Sequence, residues 1–175
     1  MKKIIPIFLF LLITTYGFSQ TVNYGIRAGF NISNLDFDPD ATFDNNHRNG
    51  FAFGGFIDYG LAETTSLYAE IQWSAEGGKG EDIEADYLNL PIMLRFNLGN
   101  LTVGAGPQAS LKIWGSNDAF STFVASGIGG LEYMITDELF IDARFIYSFT
   151  NILDQDLSDI EAKQTNIQFG VGIKL

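Results

Sequence analysis

Asp36, Asp38 and Asp40 stand at alternate positions in a stretch without strong apolar periodicity, the spacing at which a calcium loop presents its first oxygen ligands. Ala41 occupies the place of that loop's glycine, and His47 the place of its bidentate glutamate, so an EF-hand is not the expectation. Asp154, Asp156 and Asp159 form a second acidic group near the other end of the chain. These six acids are candidate cation-binding residues, and the alternative is a solvated acidic rim. His47 is the only histidine and cysteine is absent. A nucleophile such as Ser33 or Ser74 would therefore have only one imidazole as base, and a disulfide framework or thiolate-held metal is excluded. The segment "GGKG" at 77–80 lacks the spacing and the following Ser or Thr of a phosphate-binding loop. No enzyme activity and no cofactor are expected.

A second set of charged residues is spaced differently. Arg27, Asp58, Glu70, Arg95, Lys112, Glu132, Asp142, Arg144 and Lys174 each fall on the polar side of a segment in which apolar and polar residues alternate. The clearest case runs from Val22 to Ser33, with Val22, Tyr24, Ile26, Ala28, Phe30 and Ile32 against Asn23, Gly25, Arg27, Gly29, Asn31 and Ser33. Period two is the signature of a strand with two unlike faces. The same pattern recurs around 51–59, 67–74, 87–97, 101–112, 141–148 and 166–175, and more weakly in the glycine-rich stretch 122–133, giving eight strands. Connections alternate in length, long at 34–49, 75–86, 113–121 and 150–163 and short at 60–65, 98–100 and 134–138. That predicts an antiparallel up-and-down meander with every short turn at one end. Asp58, Tyr59 and Ser74 recur 74 residues later as Glu132, Tyr133 and Ser148, a faint internal repeat.

Alternation by itself fits a soluble lipocalin-like barrel with its apolar face inward as well as a barrel with that face in lipid. The polar face separates them. It carries five cations and four anions interleaved with glycines, although the whole chain has a net charge of −11. A near-balanced, glycine-spaced set suits a narrow interior where long side chains meet across the lumen. On the apolar face, Tyr24, Tyr59 and Tyr133 lie toward the short-turn end and Trp73 and Tyr147 toward the long-connection end, as two aromatic girdles. Pro91 forfeits a ladder donor, so a bulge or local loss of pairing is expected there.

The first residues complete the pattern. Lys2 and Lys3 precede an apolar run from Ile4 to Ile13, with small residues at Gly17 and Ser19: the layout of a cleaved signal peptide over 1–19, ahead of a barrel domain over 20–175. Without Lys2 and Lys3 the net charge is −13, which argues against a nucleic-acid partner.

The segments "YGIRAGFNIS", "IQWSAEGGKG", "YLNLPIMLRF", "VGAGPQASL" and "NIQFGVGIKL", in this order and spacing, resemble the small outer-membrane β-barrels of Bacteroidetes known as PorT-family or outer-membrane β-barrel domain proteins. The resemblance covers essentially the whole chain after the first 19 residues. It implies an eight-stranded transmembrane barrel in the bacterial outer membrane, embedded in outer-membrane lipid and inserted by the barrel-assembly machinery. Members of that family usually close on an aromatic residue read by that machinery, whereas this chain closes on Leu175. The expectation is a monomer with a side-chain-filled polar lumen and acidic extracellular loops, in a structural or interaction role toward a partner the sequence does not name. The alternative is a narrow solute-transport or ligand-binding barrel.

Overall fold

Eight antiparallel strands close into a barrel in the order in which they occur along the chain, in a computed structural model that describes residues 21–38, 47–78, 84–115, 120–153 and 161–175. They are β1 (Val22–Asp38), β2 (Arg48–Ala62), β3 (Thr65–Gly77), β4 (Glu84–Leu98), β5 (Leu101–Gly115), β6 (Phe123–Met134), β7 (Leu139–Ser148) and β8 (Glu161–Lys174). Residues 1–19, where a signal peptide is expected, lie outside the described residues. Closure comes from β1 pairing with β8, so the sheet presents no free edge.

The register fixes the shape. Stepping from Val22 across successive pairs, through Tyr59, Leu67, Leu94, Ala105, Gly129, Phe145 and Ile167, returns to β1 at Ile32, ten residues above the start. A stagger of that size tilts the strands by roughly 35–45° and leaves an interior wide enough only for side chains.

The short connections follow turn chemistry. Gly99 has φ of +72° and Asn100 has no positive φ, so the two-residue link between Leu98 and Leu101 has the glycine-first pattern of a II′ hairpin. Between β6 and β7, the Thr136 hydroxyl accepts hydrogen bonds from the backbone N–H groups of Glu138 and Leu139.

Pro91 disturbs the ladder without a bulge. The β3–β4 register steps from Ala69–Ile92 directly to Gln72–Asn89, and the β4–β5 register from Pro91–Gln108 to Leu94–Ala105, where Pro107 stands on the neighbouring strand. The bulge lies higher, between Asp86 and Tyr87.

The strands β1 to β5 and β8 run further toward the long-connection end than their alternation foretells, and on β1, β4 and β8 the reason is an inversion of the faces. On β1 the inward residues change from Asn31 and Ser33 to Leu35 and Phe37, while the outward ones change from Phe30 and Ile32 to Asn34 and Asp36. The same exchange occurs where Ala85 and Tyr87 point inward on β4 and Ala162 on β8. There the barrel is built like a water-soluble one. Asp36 and Asp38 therefore stand in a paired strand and not in a loop, opposite Lys163 and Glu161. Glu76, Glu84 and Asp86 are likewise strand residues.

Candidate functional site

The interior is a stack of layers. Nearest the short turns, Arg95 lies 2.7 Å from Glu132 and 3.4 Å from Asp58, and Lys174 lies 3.1 Å from Glu132. Asp58 and Glu132, the two acids of the internal repeat, thus flank one arginine. The N–H directions of Arg95 miss both carboxylates, so its terminal nitrogens, Asp58 Oδ1 and Glu132 Oε1 have no aligned hydrogen bond.

The next layer is tighter. Arg27 grips Asp142 with two parallel hydrogen bonds, Nε to Oδ2 at 2.7 Å and Nη2 to Oδ1 at 2.6 Å, and both side chains are almost fully buried. Arg144 donates to Glu70 at 2.6 Å and to the Tyr68 hydroxyl at 2.9 Å, and its Nε approaches Asp142 at 3.3 Å. Tyr68 in turn donates to Glu70 at 2.7 Å, and Gln72 donates to the same carboxylate at 3.0 Å. Four cations and four anions therefore balance one another across these two layers. Fork-shaped pairing of this kind is what offsets the several kcal/mol lost when each ion leaves water.

The glycines opposite these groups provide the room. A Cβ on Gly170 would lie 2.6 Å from Arg27 Nη2 and 2.7 Å from Asp142 Oδ2, and one on Gly104 would lie 2.8 Å from Arg95 Cγ.

The lumen is not uniformly polar, which corrects the expectation from the sequence. Phe56, Tyr68, Met93, Ile128, Phe140 and Ile146 form an apolar cluster among the ion pairs, with Phe56 stacked on Tyr68 at 5.2 Å and edge-on to Phe140 at 5.7 Å. Phe56 stands in the inward register of β2 between Gly54 and Asp58, where the alternation around 51–59 marks a polar or small face and gives no sign of an aromatic ring. A second cluster of Leu35, Phe37, Ala85, Tyr87, Phe120, Val124, Ile152 and Ala162 fills the mouth at the long-connection end. Lys112 lies beside it, half-buried, donating to the Phe120 carbonyl and meeting none of the interior carboxylates. Between the two clusters lies a polar layer from β1, β3, β4 and β8, with Asn31, Ser33, Ser74, Glu76, Asn89, Gln164 and Asn166 all buried.

Tyr24, Tyr133 and Tyr147 are exposed on the outer wall, and Tyr59 and Trp73 share that wall, half-buried. Trp73 packs on Phe53 at 5.1 Å and Tyr147 on Phe149 at 6.2 Å. Trp114, exposed near Asp86, is a further aromatic on this wall. Asp36 is exposed on β1, while Asp40, Asp154, Asp156 and Asp159 lie outside the described residues. Among the described residues no three His, Cys, Asp or Glu converge as a metal-binding group.

The outer apolar band on β1 runs from Val22 to Ile32. At about 3.3 Å per residue and a tilt of roughly 40° that is about 25 Å of height, the height of the apolar band of outer-membrane barrels. A closed antiparallel barrel with its charges inside and an apolar belt outside is the build of a transmembrane barrel. The chain belongs to the outer membrane protein beta-barrel domain family, whose model matches residues 18–154. Membership implies the bacterial outer membrane. The fold is similar to that of Neisserial surface protein A, at a TM-score of 0.58 and 12% identity over 89% of this chain and 99% of that one. It is also similar to the attachment invasion locus protein Ail of Yersinia pestis, at a TM-score of 0.53 and 15% identity over 89% and 100% of the two chains. No curated protein sequence matches the chain significantly.

Proposed function

We propose that this protein is a structural or interaction module of the outer membrane, with an interior closed to solutes and acidic loops offered outside the cell. The observation that carries the reading is the filled lumen. Four cations and four anions of its two lower layers are occupied with one another, apolar clusters lie among and above them, and the cavity among Arg95, Glu132, Asp142 and Arg144 is about 10 Å³. That volume is the lower limit for a single water. The apolar wall is the surface for outer-membrane lipid, the barrel-assembly machinery is the partner in insertion, and the barrel works as a monomer without cofactor or catalytic group. The order of its motifs supports a place among the PorT-type barrels of Bacteroidetes, with the first 19 residues serving as a cleaved signal.

Purified protein in planar bilayers should give no conductance steps above the bare membrane. Stable, ion-selective steps would overturn the proposal in favour of a narrow transport barrel. One observation favours that second reading: a vestibule of about 440 Å³ at the short-turn end reaches Asp58 and Ser66, next to the loosely aligned Arg95. Because the chain has no cysteine, a single cysteine placed between 39 and 46 reports orientation directly. It should react with a membrane-impermeant maleimide on intact cells, and protection there would reverse the proposed topology.

A further inference from the structure

Gly54, Gly104 and Gly170 leave room for what faces them inside the barrel, but Gly55, on the outer wall, has no such reason among the described residues. A Cβ on Gly55 would meet the Gly25 carbonyl oxygen at an ordinary 3.7 Å, whereas one on Gly54 would lie 2.4 Å from the Ile71 carbonyl oxygen. Glycine weakens a strand, and inside one it often marks a place where something else comes close to the backbone. Gly55 and Ala28, both exposed, lie in an apolar groove of about 740 Å³ on the outer wall.

The register gives the groove its course. It runs between two neighbouring rows of cross-strand pairs, with Trp73, Phe53 and Ala28 along one side and Ile71, Gly55 and Ile26 along the other. The rows extend to Leu88 on β4 and, through β8, to Leu139 on β7. Five strand spacings of about 4.8 Å, on strands tilted by roughly 40°, carry the groove about 15 Å down the wall from Trp73, half of a hydrocarbon core of roughly 30 Å.

That course suits one kind of occupant. A second barrel has a convex wall, which would touch the ridges and leave the groove empty, whereas an acyl chain is narrow, flexible and one leaflet deep. The groove is also continuous with the apolar belt that faces lipid. Above Leu88, β4 carries Asp86 and Glu84, and Arg48 is the cation that meets both. A net negative rim favours a head group bearing an ammonium and repels a multiply phosphorylated one.

We propose that this groove holds one acyl chain of a zwitterionic phospholipid, seated against Gly55 with its head at the level of Trp73. The proposal rests on the reading of the outer wall as the lipid surface. Hydrocarbon gains nothing by leaving one apolar surface for another, so the preference comes from added dispersion contacts and amounts to about threefold over bulk chains.

The test is fluorescence quenching in phosphatidylcholine vesicles, a minor fraction of whose lipid is brominated in mid-chain. Trp73 and Trp114 are the two tryptophans, so Trp114→Phe leaves Trp73 as the reporter. A reference barrel carrying Trp73→Phe, Trp114→Phe and Phe145→Trp reports from nearly the same height on the opposite side, where Phe145 is exposed. Trp73 should be quenched about threefold more steeply than the reference. Gly55→Leu, which fills the groove, should bring the two slopes together, and Ala28→Leu should do the same independently. Equal slopes before filling would overturn the proposal, as would a steep Trp73 slope retained in both filled variants. A Trp73 slope below the reference would mean that protein covers the groove, and would overturn it too. Unlabelled lipid A should relieve the quenching no better than unlabelled phosphatidylcholine at equal mole fraction; stronger relief would assign the groove to the anionic glycolipid instead. No quenching at either position would remove the lipid-facing reading itself, a failure distinct from equal slopes.

Discussion

Replacing Arg27 by methionine tests the filled-lumen reading most directly. The change removes both hydrogen bonds to Asp142 and the one to Gln168 at 3.2 Å, while keeping most of the side chain's volume. Asp142 would be left buried with one cation in reach, Arg144 at 3.3 Å. Breaking one side of a buried pair costs about 3 to 5 kcal/mol, and the remaining arginine argues for the lower end. For a chain of this size, about 3 kcal/mol corresponds to roughly 6 to 12 °C in melting midpoint. The assay is the heat-dependent mobility shift of the folded barrel on detergent gels, with urea unfolding in lipid vesicles as the equilibrium measure. Asp142→Asn alone and combined with Arg27→Met completes a double-mutant cycle, and the double variant should cost at least 1 kcal/mol less than the two single losses added together. If Arg27→Met stays within about 0.5 kcal/mol of wild type, as an exposed substitution would, the interior is wet, the pairing argument is wrong, and conduction becomes the better reading.

Three other outcomes follow from the same geometry. Gly170→Ala should destabilise by about 1 to 3 kcal/mol, because its methyl would enter the space of the Arg27–Asp142 pair; an unchanged urea midpoint would show that pair to be mobile. Leu94→Arg, on the outer wall, should cost about 2 to 4 kcal/mol if it lies near the bilayer midplane. Spin labels at 92, 93, 94 and 95 should then show high oxygen accessibility at 92 and 94 and low at 93 and 95, and a flat profile would contradict the membrane placement. Met93→Gln should cost about 1 to 3 kcal/mol, whereas Met93→Leu should cost under about 1.5, because Met93 packs in the apolar cluster beside Phe56 and Phe140 and not in a polar lumen; equal urea midpoints for the two would argue that water reaches this position.

Period-two alternation is a local property, so the sequence alone was enough to determine that Val22 to Ile32 and its counterparts are strands with one apolar face. It also determined that the chain is a meander of eight, and that Arg27, Glu70, Arg95 and Arg144 share the polar side. It did not determine where the strands end. Leu35, Phe37, Ala85 and Ala162 continue them with the faces exchanged, and an exchanged face reads as a break in pattern. Nor could it show which charges meet. Arg27 and Asp142 are 115 residues apart, and only closure of β1 onto β8, with a ten-residue stagger, brings them side by side. Glu76 illustrates the difference most sharply: in the sequence it is one acid among many near Gly77 and Gly78, counted with a solvated rim. The tertiary structure turns it inward between Asn89 and Gln164, because burial is set by which strands surround a residue and not by its neighbours along the chain.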